Sequence, residues 1–210
     1  FGFLPTALLA LPFAIIITII FSLLVDRYVF RFYRLKKSPP VTLAMVSIGV
    51  MFIMNAIVRI IIGPKDRRFF DGEKFIIKVK EFKNLTGLNE GLAIKSTQAI
   101  TVLITLFLVA ILFWFLQRTR TGKSMRAFSD NEDLALLSGI DPDRVVLFTW
   151  LIVAALATTA GVLYGLDKSF KPFTYFSILL PIFASAIVGG IGSPIGAVVG
   201  GYVIAFSEIM

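Results

Sequence analysis

The sequence contains no cysteine and no histidine among its 210 residues. It therefore has no disulfide, thiolate nucleophile or imidazole base, and it lacks the common side-chain ligands of zinc, haem and iron–sulfur centres. Charge is also scarce, because Asp, Glu, Lys and Arg make up only 16% of the chain. These absences exclude most metalloproteases and membrane oxidoreductases. A conduit, a scaffold or an enzyme that uses carboxylates and hydroxyls is left.

Apolar residues make up 57% of the chain, which is more than a soluble domain of this size can bury. Soluble domains are about 45–50% apolar, and a chain of this length buries only about 70% of its surface. The composition therefore predicts an integral membrane protein. The net charge of +8 fits basic residues that flank membrane spans, and we expect no nucleic-acid partner.

Five uncharged runs are long enough to cross a bilayer, which requires about 20 apolar residues. They are Phe1–Val25, Ser38–Val58, Ser96–Gln117, Val145–Leu166 and Pro172–Ser207. The last run has 36 residues and would extend about 54 Å as one helix, against a hydrocarbon core of about 30 Å. Clustered glycines at 189–196, with Pro194 among them, mark where it breaks. We therefore expect an all-α polytopic fold with about six membrane segments.

Four charged loops separate these segments, and their charges do not orient the chain. Loops one and three (26–37 and 118–144) carry ten Lys and Arg, and loops two and four (63–95 and 167–171) also carry ten. In loop two, alternating residues at 73–82 follow an Asp71-Gly72 turn signal and predict a short strand or hairpin. This element is either a lid or docking platform, or a solvated connector.

Loop three contains the pattern of a short capped helix, predicted over Asp130–Ser138. Ser129 and Glu132 match a capping box, and Gly139 suits a position after the helix that needs positive φ. Asp141-Pro142 then has the pattern of an N-cap followed by a first helical residue. We expect Leu134, Ala135 and Leu137 to share one face. So short a helix is unstable alone, so this face either docks on a partner or lies on lipid or on its own bundle.

Small residues recur every four positions in the last two runs. They are Gly192, Gly196 and Gly200 in one, and Ala157, Gly161 and Gly165 in the other. Such ridges allow close helix packing. The Gly-Pro break also fits a discontinuous helix whose freed backbone groups line a substrate path, and the two interpretations are compatible.

Polar groups inside the predicted spans do not form a catalytic site. Asn55 is expected to need a hydrogen-bond partner across helices, and Glu208 is a carboxylate without a second carboxylate in any span. No nucleophile–base pair and no phosphate-binding loop with Lys-Ser/Thr occur. Any energy from ATP must therefore come from another subunit, and we expect no metal or other cofactor on this chain.

Three stretches resemble the permeases of branched-chain amino acid ABC importers, most closely the LivH-type branch. The first is loop three, whose matching positions are Arg118, Arg120, Gly122, Met125, Arg126, Ala127, Gly139, Ile140, Asp143, Arg144 and Val145. The second is the run AIVGGIGSPIGAVVGGYVIAFSE, and the third is Asn55 followed by GPKDRRFF. The likeness covers nearly the whole chain. Pro181 stands where many members carry Lys, which leaves the exact substrate open.

The resemblance implies a multi-pass subunit of the bacterial inner membrane that is not itself an enzyme. Members have about eight spans, so 1–210 is expected to be one permease domain lacking parts of both termini. The implied partners are two ATPase subunits, a second permease and a periplasmic binding protein. It also implies that loops one and three are cytoplasmic and that the small β or loop element at 63–95 is extracytoplasmic.

The resemblance makes the loop-three helix a coupling helix that docks on an ATPase. The residues expected to carry coupling are Ser129, Glu132, Leu134, Leu137 and Gly139. Those expected in the translocation path or its hinge are Asn55, Gly189, Gly190, Gly192, Ser193 and Pro194. The alternatives are a permease for urea or an amide, a sugar or a nucleoside, a passive channel, or a membrane enzyme that uses Glu208 or loop carboxylates.

Overall fold

A computed structural model of the protein describes residues 6–63, 75–77, 94–167, 177–190 and 192–209. The helices are α1 (Thr6–Val25), α2 (Arg31–Leu35), α3 (Pro40–Ile62), α4 (Ser96–Arg118), α5 (Arg120–Asp130), α6 (Glu132–Leu137), α7 (Pro142–Asp167), α8 (Leu179–Gly189) and α9 (Pro194–Ile209). A π-helical turn at Asp26–Phe30 joins α1 to α2.

Four helical stretches in the described ranges are long and apolar enough to cross a membrane. They are Leu8–Leu35, Pro40–Ile62, Thr97–Arg118 and Pro142–Leu166. The all-α polytopic prediction is confirmed to this extent. The other two apolar helices, α8 and α9, have 11 and 16 residues and are shorter than a full span. The count of about six membrane segments therefore stays a prediction.

Loop two is described only at two short strands, β1 (Phe75–Ile77) and β2 (Ile94–Lys95). They pair antiparallel, with Phe75 opposite Lys95, Ile77 opposite Ile94, and a register shift between the two pairs. The Asp71-Gly72 turn signal and residues 78–93 lie outside the described residues. The extracytoplasmic position of this loop stays a prediction.

Loop one is helical over most of its length, so its prediction as a connector at 26–37 is wrong. The chain stays helical through the π turn and α2 to Leu35, and it turns only at Lys37, where φ is 48°. No proline or glycine occurs between Val25 and Ser38, so nothing in the backbone ends the helix earlier. Pro39 is extended, and Pro40 begins α3 as a first helical residue.

The predicted break in the last apolar run is confirmed. The helix α8 ends at Gly189, and Gly190 and Gly192 take φ values of 91° and 95°, which favour glycine. Pro194 then starts α9, and the Ser193 hydroxyl accepts a 3.1 Å hydrogen bond from the Gly196 N–H. Ser193 and Pro194 thus form an N-cap and first helical residue, a pair that prevents the helix from running through.

The chain divides into two compact units, residues 1–32 with 68–169 and residues 33–67 with 170–210. In the first unit α1 packs along α7, whose buried side chains include Ala154, Thr159 and Leu163. The predicted ridge of small residues on α7 is buried at Gly165 but not along its whole length. Ala157 is exposed, and a methyl group added at Gly161 would meet nothing within 4 Å.

In the second unit α8 packs against α9 through glycine. A Cβ atom at Gly189 or Gly196 would overlap the backbone of the other residue, and one at Gly200 would overlap the Ser185 carbonyl. Gly196 and Gly200 therefore belong to a close-approach ridge, as predicted. Gly192 does not, because it lies in the turn rather than on the helix.

We predict that Gly196→Ala destabilises the α8–α9 pair by about 2 kcal/mol, because the methyl group would overlap backbone atoms of Gly189. The measurement is the thermal unfolding midpoint in detergent. Gly201→Ala is the matched control, since its Cβ would meet nothing within 4 Å on the same helix. Equal midpoints for the two variants would contradict the close approach.

Candidate coupling and hinge sites

The helix α6 is capped at its start by Asn131, not by Ser129. Asn131 is extended, with φ −158° and ψ 107°, and its Oδ1 accepts a 2.9 Å hydrogen bond from the Leu134 N–H. The predicted capping box of Ser129 and Glu132 is wrong, because α5 continues to Asp130 and holds Ser129 in helical conformation. The helix consequently begins at Glu132 and ends at Leu137, one or two residues inside the predicted bounds at each end.

The end of α6 and the start of α7 are fixed by hydrogen bonds, as the sequence predicted. Gly139 has φ 80°, its N–H bonds the Leu136 carbonyl at 3.0 Å, and the Ile140 N–H bonds the Ala135 carbonyl at 3.1 Å. This pair of bonds is the Schellman motif. The Asp141 carboxylate then accepts from the Asp143 N–H at 3.0 Å, immediately before α7. The connection between the two helices is therefore short and tightly bonded.

Leu134 and Leu137 are the most exposed of the three leucines of α6, whereas Ala135 faces inward. Leu134 is 63% and Leu137 85% exposed, and Ala135 only 3%. Residues three apart lie on the same side of a helix, so the leucines form one apolar patch and the prediction that Ala135 shares it is wrong. Glu132 and Asp133 are exposed in the first turn, where the helix dipole favours their charge. The exposed surface of α6 is thus apolar with an acidic edge.

The amphipathic helix α5 was not predicted from the sequence, although a signal for it exists. Thr119 caps the helix by accepting a 3.0 Å hydrogen bond from the Gly122 N–H. Gly122 is buried, and a Cβ there would overlap the backbone of α4 around Phe115. Met125 and Phe128 are three residues apart, which is helical spacing, and polar or basic residues surround them in the sequence. They line a cavity of about 340 Å³ between α5 and α7.

Three contacts connect the π turn and the first residue of α2 to the first turns of α7. The Trp150 indole N–H donates to the Asp26 carboxylate at 2.7 Å, and the Phe30 and Trp150 rings lie 5.5 Å apart between centroids, tilted by 40°. Arg31 forms a 3.7 Å ion pair with Asp143. Sequence analysis missed this cluster, because Asp26 and Trp150 are 124 residues apart and no local pattern links them.

The hinge candidates Gly189, Gly190, Gly192, Ser193 and Pro194 adjoin one another at the break between α8 and α9. Asn55 behaves differently from its prediction. Its side-chain N–H donates at 3.0 Å to the Met51 carbonyl of its own helix, so it does not need a partner across helices. Glu208 is exposed in the last turn of α9. In the described ranges, no three acidic side chains lie close enough to hold a metal ion.

The outward faces of the long helices define the class of protein. Phe13, Ile60 and Leu103 are 71%, 83% and 67% exposed, and many large apolar side chains along the spans share this exposure. A surface of this kind is stable in lipid or against partner subunits, not in water. The fold is therefore that of a multi-pass α-helical membrane protein.

The chain belongs to the family described as branched-chain amino acid transport system / permease component, whose model matches residues 2–210. It is 29% identical over 202 residues to the high-affinity branched-chain amino acid transport system permease protein LivH of Salmonella typhimurium, covering 94% of this chain and 62% of the relative. It is 33% identical over 164 residues to a probable LivH of Methanocaldococcus jannaschii, covering 78% of this chain and 48% of that protein.

The chain thus spans about half to three-fifths of the length of the curated relatives it matches. No solved structure matches it significantly.

We predict that Asn131→Ala raises the hydrogen-exchange rate of the Leu134 amide about fivefold, because an N-cap contributes about 1 kcal/mol. The measurement is amide exchange of the detergent-solubilised protein. Ser129→Ala is the matched control, since its hydroxyl does not cap α6. A larger effect for Ser129→Ala would reverse the assignment of the cap.

Proposed function

We propose that this chain is the membrane-spanning part of an ABC importer permease. The importer moves branched-chain or related amino acids into the cytoplasm by ATP-driven alternating access, with α6 as the coupling helix. Family membership and the relatives' names support amino-acid transport. The observation that carries the coupling role is the exposed leucine pair on a helix that is capped at both ends.

The surface of α6 suits docking in a groove of a protein partner. A helix of six residues is unstable by itself. Hydrogen bonds from the Asn131 cap and from the Schellman motif at Gly139 stabilise α6 before any partner binds. Burying each leucine contributes about 1.5–3 kcal/mol, which is enough for the pair to anchor a subunit contact. Glu132 and Asp133 at the edge favour a groove with basic groups around an apolar floor.

The links on both sides of α6 suit the transmission of movement. Asn131 alone separates it from α5, and the hydrogen-bonded turn through Gly139 and Asp141 joins it to the span α7. A short hydrogen-bonded turn deforms less than a flexible loop. A displacement of α6 therefore also displaces the N-terminal end of α7. In this proposal ATP acts on the partner subunits, and this chain responds as two states with different partner contacts.

The break between α8 and α9 is the candidate hinge or path. Two glycines with positive φ interrupt the helix, so the backbone groups of residues 190, 192 and 193 are not all used in helical hydrogen bonds. Discontinuous helices of this kind provide polar backbone groups within the membrane and can change their angle at the break. Asn55 remains a candidate for the path on the strength of its position within α3.

The proposed partners are two ATPase subunits, a second homologous permease and a periplasmic substrate-binding protein. The proposed location is the inner membrane, with α6 on the cytoplasmic side. The permease itself binds no ATP in this proposal, which assigns hydrolysis to the partner subunits.

We predict that the double variant Leu134→Ser/Leu137→Ser lowers co-purification of the ATPase subunits at least about tenfold, because the apolar anchor is lost. The measurement is pull-down of the tagged full-length permease in mild detergent, followed by quantitative mass spectrometry. Leu35→Ser is the matched control, since this leucine is 77% exposed on another helix. Unchanged ATPase recovery with the double variant would exclude α6 as the docking helix and favour its lipid-bound alternative.

A second prediction concerns the end of α6. Gly139→Val should insert normally but lower amino-acid uptake, because a non-glycine residue at φ 80° costs about 1–2 kcal/mol. No atom lies within 4 Å of the added Cβ, so the effect comes from the backbone and not from crowding. Gly139→Asn is the control, since Asn tolerates positive φ and should retain more uptake. Wild-type uptake by Gly139→Val at normal expression would contradict the coupling role.

A further inference from the structure

The strongest of the three contacts between the π turn and α7 is the hydrogen bond from Trp150 to Asp26. It is 2.7 Å long and partly buried, and its acceptor is a carboxylate, which makes the bond short and strong. The neighbouring ion pair of Arg31 and Asp143 is longer, with side chains 49% and 70% exposed, and pairs of this kind contribute little. The indole N–H of Trp150 is therefore the main polar link between these two segments.

Asp26 occupies a special place in its own helix. It is the first residue of the π turn, and its carbonyl accepts the backbone N–H of Arg31 five residues later. Such wide turns are rare and occur frequently at functional sites. Asp26 therefore holds the turn with its main chain and α7 with its side chain. One residue, directly after the end of α1, therefore makes both contacts.

The hydrogen bond of Trp150 fixes the orientation of its indole ring, because the surroundings of the ring leave it room to turn. On one side the indole lines the open cavity of about 340 Å³ between α5 and α7, so the ring is not tightly packed there. On another side it contacts Phe30. A large ring beside a cavity has room to reorient, and the bond to Asp26 fixes which way it points.

Trp150 lies on the route from α6 to the first span. It follows the first residue of α7, Pro142, by eight positions, or about 12 Å along the helix. The bonded turn before Pro142 joins this end of α7 to α6. A shift of α6 thus moves the start of α7, and the indole N–H passes that shift to Asp26.

We propose that Asp26 and Trp150 are positioning residues for transport, whose hydrogen bond transmits movement of α6 to the π turn and to α1. This inference rests on the proposed function. In this inference the two residues do not contact the transported solute. They determine how many solute molecules are moved for each ATP hydrolysed.

The test uses the complete transporter reconstituted in liposomes, with solute uptake and ATP hydrolysis measured in the same vesicles. Trp150→Phe retains an aromatic ring beside Phe30 but removes the N–H donor. We expect uptake per ATP to fall about tenfold, the scale of losing one hydrogen bond to a charged group. Asp26→Ala should lower uptake per ATP at least as much, because it removes the acceptor of the same bond. The double variant should lower the ratio no further than Asp26→Ala.

Two controls separate transmission from general damage. Asp26→Asn retains an oxygen acceptor for the indole and should keep more of the uptake per ATP than Asp26→Ala. Arg31→Gln removes only the exposed ion pair and should leave the ratio unchanged. A merely structural role would lower the unfolding midpoint and the ATPase rate together without changing uptake per ATP.

The outcomes distinguish this inference from the proposal on which it rests. Wild-type uptake per ATP in both Trp150→Phe and Asp26→Ala overturns the transmission role while leaving the importer intact. The transmission role is also overturned if Arg31→Gln lowers uptake per ATP as much as Trp150→Phe does. The Trp150–Asp26 hydrogen bond would then matter no more than the exposed ion pair. Absence of ATP-driven uptake by the wild-type assembly refutes the proposed function itself.

Discussion

Backbone hydrogen bonding within an apolar medium is the constraint on which the rest of this structure depends. Lipid offers no partner to a free N–H or carbonyl, so a spanning segment stays helical wherever it can. The regular α-helix changes at two places: at the π turn after Val25, where the chain stays helical, and at the break after Gly189. At the break, the Gly190 N–H donates to the Ile187 carbonyl and the Ser193 N–H to the Gly190 carbonyl, so some of these backbone groups still have partners. We propose that conformational change occurs at these two places.

The same demand shapes the loop that connects α4 to α7. Thr119, Asn131 and Asp141 each accept a hydrogen bond from a backbone N–H at a helix start, and Gly139 completes the end of α6. Ordered caps turn a polar connector into two helices joined to each other and to α7 by short links. A connector of this kind can pass a displacement from an exposed helix to a span, which is the physical basis of the coupling role that we propose for α6.

Local sequence patterns predicted the features that depend on single residues. The break at 189–196, the positive φ of Gly139 and the Asp141-Pro142 helix start follow from glycine and proline stereochemistry, and the structure confirms them. The prediction of a cap at Ser129 failed because Asn131, two residues later, competes for the same role and α5 extends to meet it. The partner of Asn55 was misassigned because an intrahelical carbonyl was within reach.

The sequence by itself determined that this is a helical membrane protein, where its long helices lie and where its last apolar run breaks. These depend on composition and on backbone stereochemistry, which act over a few residues. Only the tertiary structure decided which glycines meet, which face of α7 packs on α1, and that Trp150 reaches Asp26 across 124 residues. Such contacts depend on the positions and rotations of whole helices, and no short pattern in the chain records them.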